Sequence, residues 1–377
     1  MSRAGVIGAG VTGAVASALM QTLLTNATPR IVAELHAPHW YGFVGGCYLA
    51  MSTLTLPVFA QWADRIGPRR VFALGHLCFA AGALGVALAP DMGWLLAARA
   101  LQGVGGGAIA PATVAAIGMV HDEDQRGHAL TWFALSQVVA NGIGAPLGGW
   151  MTDGPGWRVG MAVTVPIGLF SLVLARHLPT RDVPPRWWGF SARAQWRMWQ
   201  DARLGTSAAL ALLLGVVMLG CLTYAPLLLQ DRHALSPTVT GWLLLPMLLG
   251  LGAGVAVSGR LEKHPAIRPM SWTLVLLGTV AALAPSPVVV AVGFGLGGIG
   301  LGAAYPLLLL DAQAAVDREH LARASGLIQF GRNAGAAVGV PLLSLWLAAG
   351  SAALPGLFLT LAVTALAGLH LTRKAIP

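Results

Sequence analysis

Twelve runs of apolar residues, each close to the roughly 20 residues a helix needs to cross the hydrocarbon core of a bilayer, divide this chain. They fall at 5–29, 40–62, 69–89, 92–118, 127–150 and 157–178, then at 204–230, 238–259, 268–284, 287–310, 324–349 and 353–372. Only 10% of the 377 residues are charged, against about 25% in a soluble domain. That is too little polar surface to coat a water-soluble particle, so lipid is the expected solvent. The 49 glycines and 23 prolines sit largely inside the apolar runs, where lipid-embedded helices tolerate them and use the small ones for close packing. The expected fold is an all-α membrane protein with twelve transmembrane helices.

A net charge of +9 would also suit nucleic acid, but the basic residues lie in the short loops. Eighteen of the 23 lysines and arginines fall in one alternating set of loops and ends, and only Arg30, Arg158 and Arg232 in the other. By the positive-inside rule this puts both termini in the cytoplasm. No A-x-A-like cleavage site follows the first run, so no signal peptide is expected. Cys47, Cys78 and Cys221 lie within apolar runs without metal-ligand spacing. They read as small core residues, with no disulfide, metal or cofactor.

The one long loop divides the chain into an N-terminal bundle (1–178), a linker (179–203) and a C-terminal bundle (204–377). Between Arg186 and Trp199 the linker mixes tryptophans with arginines. This reads as an amphipathic helix in the cytoplasmic interface, in preference to a single-stranded nucleic-acid site. At the N-terminus, Gly8-Ala9-Gly10-Val11-Thr12-Gly13 matches the dinucleotide fingerprint, with Glu34 near the ribose-binding position. That mechanism needs a βαβ unit, and these glycines instead open an apolar run. Gly5, Ala9 and Gly13 have the four-residue spacing that lets helices approach closely.

Three short patterns carry more. Asp64-Arg65-Ile66-Gly67-Pro68-Arg69-Arg70 packs a carboxylate, a tight turn and a basic cluster between two spans. Asp64 there can cap a helix or pair with an arginine. A similar loop, from Gly259 to Arg268, lies about half a chain later, as parallel repeats require. Arg99 lies about 10 Å inside the fourth span, followed by Gln102 and Gly103-Val104-Gly105. An arginine at such depth is a functional candidate by default, unless it snorkels. The fifth span carries Gly144-Ala145-Pro146-Leu147-Gly148-Gly149, two small-residue seams with a proline that bends the helix.

These patterns resemble motifs A, B and C of the drug:proton antiporters of the major facilitator superfamily. The stretches Gly156–Gly168, Pro226–Gln230, Gly241–Pro246 and Arg332–Gly339 resemble the branch that usually has fourteen helices, here shortened to twelve. The resemblance implies two pseudo-symmetric six-helix bundles and alternating access. It implies export of lipophilic, drug-like small molecules, coupled to protons, by a monomer in the bilayer. It implies gating by Asp64, Arg65, Gly67, Arg69, Gly144, Pro146 and Gly148. It also implies a central cavity lined by Gln21, Thr25, Asn26, Arg99, Gln102, Asn141, Tyr224, Tyr305 and Arg332. Each of these polar residues could instead satisfy a helix–helix hydrogen bond, and His76 is either a proton site or structural. Two departures stand out: motif A begins with Ala60, and Met20 occupies the place where the family's first helix carries an acid. An organic-anion exporter or a uniporter therefore stays open as an alternative; a polytopic membrane enzyme is the remote one, since no HExxH, paired-carboxylate or Cys/His cluster appears, and no enzyme is expected.

Overall fold

The computed structural model describes residues 3–121, 123–180, 202–262, 264–315, 321–349 and 353–375. Among them no strand occurs, and twelve α-helices account for most of these residues. The first six are α1 (Arg3–Glu34), α2 (Tyr41–Ile66), α3 (Pro68–Ala87), α4 (Met92–Val120), α5 (Glu123–Asp153) and α6 (Trp157–Leu174). The others are α7 (Ala202–Leu227), α8 (Pro237–Leu261), α9 (Ile267–Ala281), α10 (Pro287–Ala314), α11 (Leu321–Leu343) and α12 (Leu354–Ala375). Nine segments of the described residues are long and apolar enough to cross a membrane, and α9 is a shorter apolar helix of 15 residues. Helix is the only local structure that satisfies an isolated segment's own backbone in lipid.

Helix boundaries follow local chemistry. Gly67 adopts φ +90° between α2 and α3, where a side chain would be strained, and Pro68 opens α3 at the position that tolerates a missing N–H. Asp91 caps α4, its carboxylate accepting from the Trp94 amide at 2.8 Å. One expectation fails: Pro29 does not end the first helix, which runs through it to Glu34. A proline costs one backbone bond in the helix interior, and packed neighbours in a bundle tolerate it. Farther on, the chain after Pro226 winds into a π-helical turn, Leu228–Arg232. The glycines of the apparent dinucleotide fingerprint lie inside α1 with no strand before them; Gly13 lies against His76 and Gly10 against Thr113.

The chain forms two compact units, Met1–Trp188 with Ser236–Gly241, and Gly189–Leu235 with Trp242–Pro377. In the first, α1 packs on α4, α5 and α6, while α4 packs on α2 and α3. The glycine run of α4 makes this possible. A Cβ on Gly103 or Gly106 would strike Tyr48 of α2, and one on Gly105 would strike Gly75 and Phe79 of α3. In the second unit α10 does the same with its own glycines. Gly298 and Gly302 lie against α8 at Met247 and Leu251, and Gly297 and Gly300 against α9 at Gly278 and Ser271. The tryptophan-and-arginine segment 186–199 lies outside the described residues.

Candidate functional site

Among the described residues, the lysines and arginines fall in loops or near helix ends except Arg99 on α4 and Arg332 on α11. Each sits at the centre of a polar cluster, and the clusters differ in construction.

Arg99 is fully buried, with 0% exposure. Its Nε donates to the Val44 carbonyl at 2.9 Å and its Nη2 to Gln21 Oε1 at 3.0 Å. Its Nη1 donates to Gln102 Oε1. The guanidinium also lies over the Tyr48 ring, 4.7 Å from its centroid, within the range of a cation–π contact. One side chain thereby joins α1, α2 and α4. The Gln102 Nε2 is buried without a hydrogen-bond partner among the described residues. Gln102 itself is wedged against α3, since a Cβ on Gly82 would come within 2.7 Å of its Cβ and backbone nitrogen.

Arg332 is only partly buried, as are Tyr305, Gln329 and Asn333 around it. Its guanidinium stacks on Tyr305 of α10 at 4.4 Å, and its Nη2 donates to Asn333 Oδ1 at 3.1 Å. Its Nε is buried with no partner among the described residues. The Tyr305 hydroxyl bonds Gln329 Oε1.

The remaining candidates do not join either cluster. Thr25 bonds its own helix at Gln21 O (2.7 Å), and the Asn26 amide donates to Ala145 O of α5 at 2.9 Å. Asn141 is half-buried on α5 with no hydrogen bond to Arg99. Tyr224 is fully buried, its hydroxyl donating to the Val340 carbonyl at 2.6 Å. His76 is buried, its Nδ1 3.0 Å from Phe72 O and its Nε2 without a partner among the described residues. Met20, at the position of the family's acid, is fully buried and accepts a hydrogen bond from Thr164 Oγ1 at 3.3 Å.

Among the gating candidates, Gly144 lies against Thr22 of α1, and Gly148 would bring a Cβ to 2.8 Å from the Leu23 Cα. Pro146 lies between them, inside α5. Gly67 makes the α2–α3 turn, and the Arg69 amide donates to Pro179 O at 3.2 Å. Asp64 and Arg65 form the last turn of α2, and their side chains lie outside the described residues.

Tyr48 and the Val44 carbonyl escaped the sequence reading. The available signal was their four-residue spacing on α2 opposite a glycine run, which puts both on one helical face.

The chain matches the model of the Major Facilitator Superfamily over residues 10–276. The multidrug transporter protein MdtP of Bacillus subtilis (strain 168) is 24% identical over 389 aligned residues, covering 87% of this chain and 72% of that protein. The multidrug resistance protein B homolog of Mycobacterium tuberculosis (strain ATCC 25618 / H37Rv) is 31% identical over 222 residues, 59% of this chain and 38% of that one. The uncharacterised MFS-type transporter Rv1877 of the same strain is 27% identical, covering 87% of this chain and 57% of that protein. The chain thus spans well under two thirds of the last two. Among solved structures, the nucleoside transporter NupG superposes with a TM-score of 0.82 at 12% identity, covering 99% of this chain and all of that one. A bacterial homolog of the human lysosomal transporter Spinster, in an inward-facing and occupied conformation, gives 0.79 at 16% identity, covering 99% and 96%. At such identities the likeness establishes the fold alone. With a family model matched over most of an all-helical, apolar chain, this is a multi-pass membrane protein of the Major Facilitator Superfamily of transporters.

Proposed function

We propose that the protein is a secondary active transporter that exports lipophilic small molecules by alternating access, driven by the proton gradient. It would sit as a monomer in the cytoplasmic membrane with both termini inside, its bundles spanning 1–178 and 204–377 about a cytoplasmic linker at 179–203. The observation that carries this reading is the Arg99 cluster, in which one buried cation ties α1, α2 and α4 through the Gln21 and Gln102 side chains, which can exchange partners, and the Val44 backbone carbonyl. A guanidinium at such depth costs at least about 2.5 kcal/mol on insertion scales, so its retention inside an apolar bundle favours a functional role. MdtP, a relative aligned over 87% of this chain, is named a multidrug transporter, which supports the substrate class. Asp64, Arg65 and Arg69 at the α2–α3 turn, with the Gly144–Gly148 contact on α1, would act as conformational elements and not as substrate ligands.

A second reading has its own observation. A fully buried Met20 stands where the family's antiporters keep an acid, with the Thr164 hydroxyl on its sulfur, which favours an organic-anion exporter or a uniporter without proton coupling. Uptake of a lipophilic dye into proteoliposomes, with and without an imposed pH gradient, separates the two. Gradient-driven accumulation supports the antiporter; equilibration that ignores the gradient contradicts it.

A further inference from the structure

We propose that Arg332, with Gln329 and Tyr305, forms the binding site for an anionic group on the transported molecule, a carboxylate or similar planar oxyanion on an aromatic or aliphatic body. The inference rests on the transporter reading and deepens it.

Three observations converge. The first is hydrogen-bond supply. A guanidinium carries five N–H donors in a planar fork, and among the described residues Arg332 uses one nitrogen, the Nη2 that reaches Asn333. Its Nε is buried and unpartnered, a condition that costs roughly 1–3 kcal/mol for a polar group and more for a charged one. The second is the sign of the surroundings. Tyr305 bonds Gln329 Oε1, so the Gln329 amide turns its acceptor to the tyrosine and keeps its Nε2 donor for another group. Donors thus outnumber acceptors around the cation. No carboxylate pairs with it among the described residues; Asp311, on the same helix as Tyr305, is held by Arg268 at 2.5–3.0 Å.

The third is direction. Each residue turns a helix by about 100°. Among the described residues of α11, Phe330, Val338 and Leu342 are the exposed large apolar ones, and Arg332 lies about 160° around the helix from Phe330, on the other side, about 120° from Val338 and about 80° from Leu342. On α10, Tyr305 lies about two and a half turns from exposed Leu296, again on the opposite side. The cluster is therefore partly open, with Tyr305 opposite exposed Leu296 of α10 and Arg332 at the flank of the exposed apolar residues of α11 and not among them. A planar oxyanion would meet the Nε–H and a second N–H in a bidentate pair, the geometry for which arginine is suited and lysine is not. The Tyr305 ring would flank it, beside the body of the molecule.

The test uses the full-length protein in detergent and two size-matched probes, 2-naphthoate and its neutral amide 2-naphthamide. Binding is measured by equilibrium dialysis against protein-free micelles. The unmodified protein is expected to bind the acid at least about tenfold more tightly than the amide, or about 1.4 kcal/mol. Arg332→Gln should erase that preference while leaving the amide's affinity in place, and Arg332→Lys should keep part of it. Gln329→Leu, which leaves the charge alone, should reduce it a few-fold. Equal binding of acid and amide by the unmodified protein, or no binding of the acid up to its solubility, overturns the proposal. So does a preference undiminished in folded Arg332→Gln; if that variant does not fold, an undiminished preference in both other variants overturns it. Competition by added phosphatidylglycerol as strong as by naphthoate would make this a lipid-headgroup site and defeat the substrate assignment. If the acid binds through Arg332 but no lipophilic compound enters proteoliposomes, the export reading fails and the site stands. Transport without an Arg332-dependent preference fails the site alone.

Discussion

The two intramembrane arginines solve the same electrostatic problem in opposite ways. Arg99 is wrapped by acceptors from three helices and has no exposed surface. Among the described residues Arg332 has one hydrogen bond, one ring and a buried Nε without a partner, in a cluster that stays partly open. A cation whose bonds are all internal holds helices together, and disturbing it disturbs packing. One left short of acceptors has unspent capacity, which a ligand can use. Depth alone, the criterion available from sequence, ranks the two alike; the count of partners separates them.

The largest effect is expected from Arg99→Ala. It removes three hydrogen bonds and leaves the buried Gln102 oxygen unpaired, with Gln21 half-buried beside it, at a cost of about 3 kcal/mol or more. Dye transport in proteoliposomes should fall to background, and thermal unfolding in detergent should shift down by several degrees. Arg99→Lys should retain part of the transport. Arg332→Ala, by contrast, should leave the unfolding temperature close to that of the unmodified protein and keep transport of neutral compounds. Equal thermal losses at the two sites would erase the distinction between clamp and ligand site.

Next in size is Met20→Asp, which brings a carboxylate into the first half beside Gln21. An acid at the centre of a span costs about 2.5–3.5 kcal/mol on insertion scales, so expression and stability should drop measurably. The surviving protein should gain export of a permanently cationic dye such as ethidium, because the middle of α1 would then carry a negative group where Met20 is apolar. Unchanged selectivity in a folded Met20→Asp protein would mean that this position does not govern substrate charge.

How much of this was legible in the sequence follows from what each feature depends on. The helices and their order were readable, because a span is set by local apolar length: α4 was expected at 92–118 and runs Met92–Val120. The end of α1 was not, because whether Pro29 breaks a helix depends on neighbours that the sequence does not place. Arg99 could be picked out by its depth and Gln21 as one group able to compensate it, since both are polar residues stranded in apolar runs. Tyr48 and Val44 could not, because an aromatic ring and a backbone carbonyl in an apolar helix carry no polar signature. Tyr224 shows the converse. A tyrosine in a span suggests a cavity, yet here the hydroxyl is absorbed by the Val340 carbonyl.

A packing variant sharpens the comparison from behind. Gly82 on α3 meets the backbone of α4 at Gln102 and Ala98, where a Cβ would come within 2.7–2.8 Å of their atoms. Backbone cannot swing aside as a side chain can, so Gly82→Ala must part α3 from α4 at a cost of about 1–3 kcal/mol. Because Gln102 holds Arg99, transport should fall together with thermal stability, without any change in the acid-over-amide preference. A shift in that preference would mean that the Arg99 cluster also contacts the transported molecule.

The smallest and most discriminating effect comes from paired tyrosine variants. Tyr48 and Tyr305 each lend a ring face to an arginine, at 4.7 and 4.4 Å, but their hydroxyls differ. The Tyr48 hydroxyl has Ser17 Oγ at 3.5 Å, at the limit of a hydrogen bond, whereas that of Tyr305 is bonded to Gln329 Oε1. Tyr48→Phe keeps the ring and discards a weak contact, so both stability and transport should stay within about 0.5 kcal/mol of the unmodified protein, as for substitutions that remove no strong interaction. Tyr305→Phe keeps the stacking but frees the Gln329 amide, which can then turn its oxygen toward Arg332 and supply the missing acceptor. That internal acceptor would compete with an anionic ligand, so the acid-over-amide preference should weaken by a few-fold, or roughly 1 kcal/mol, the net worth of one hydrogen bond. Equilibrium dialysis of the two variants side by side reads this difference directly. An equal loss of preference in Tyr48→Phe and Tyr305→Phe would show that the two arginines share one ligand; an effect confined to Tyr48→Phe would reverse the roles assigned to them.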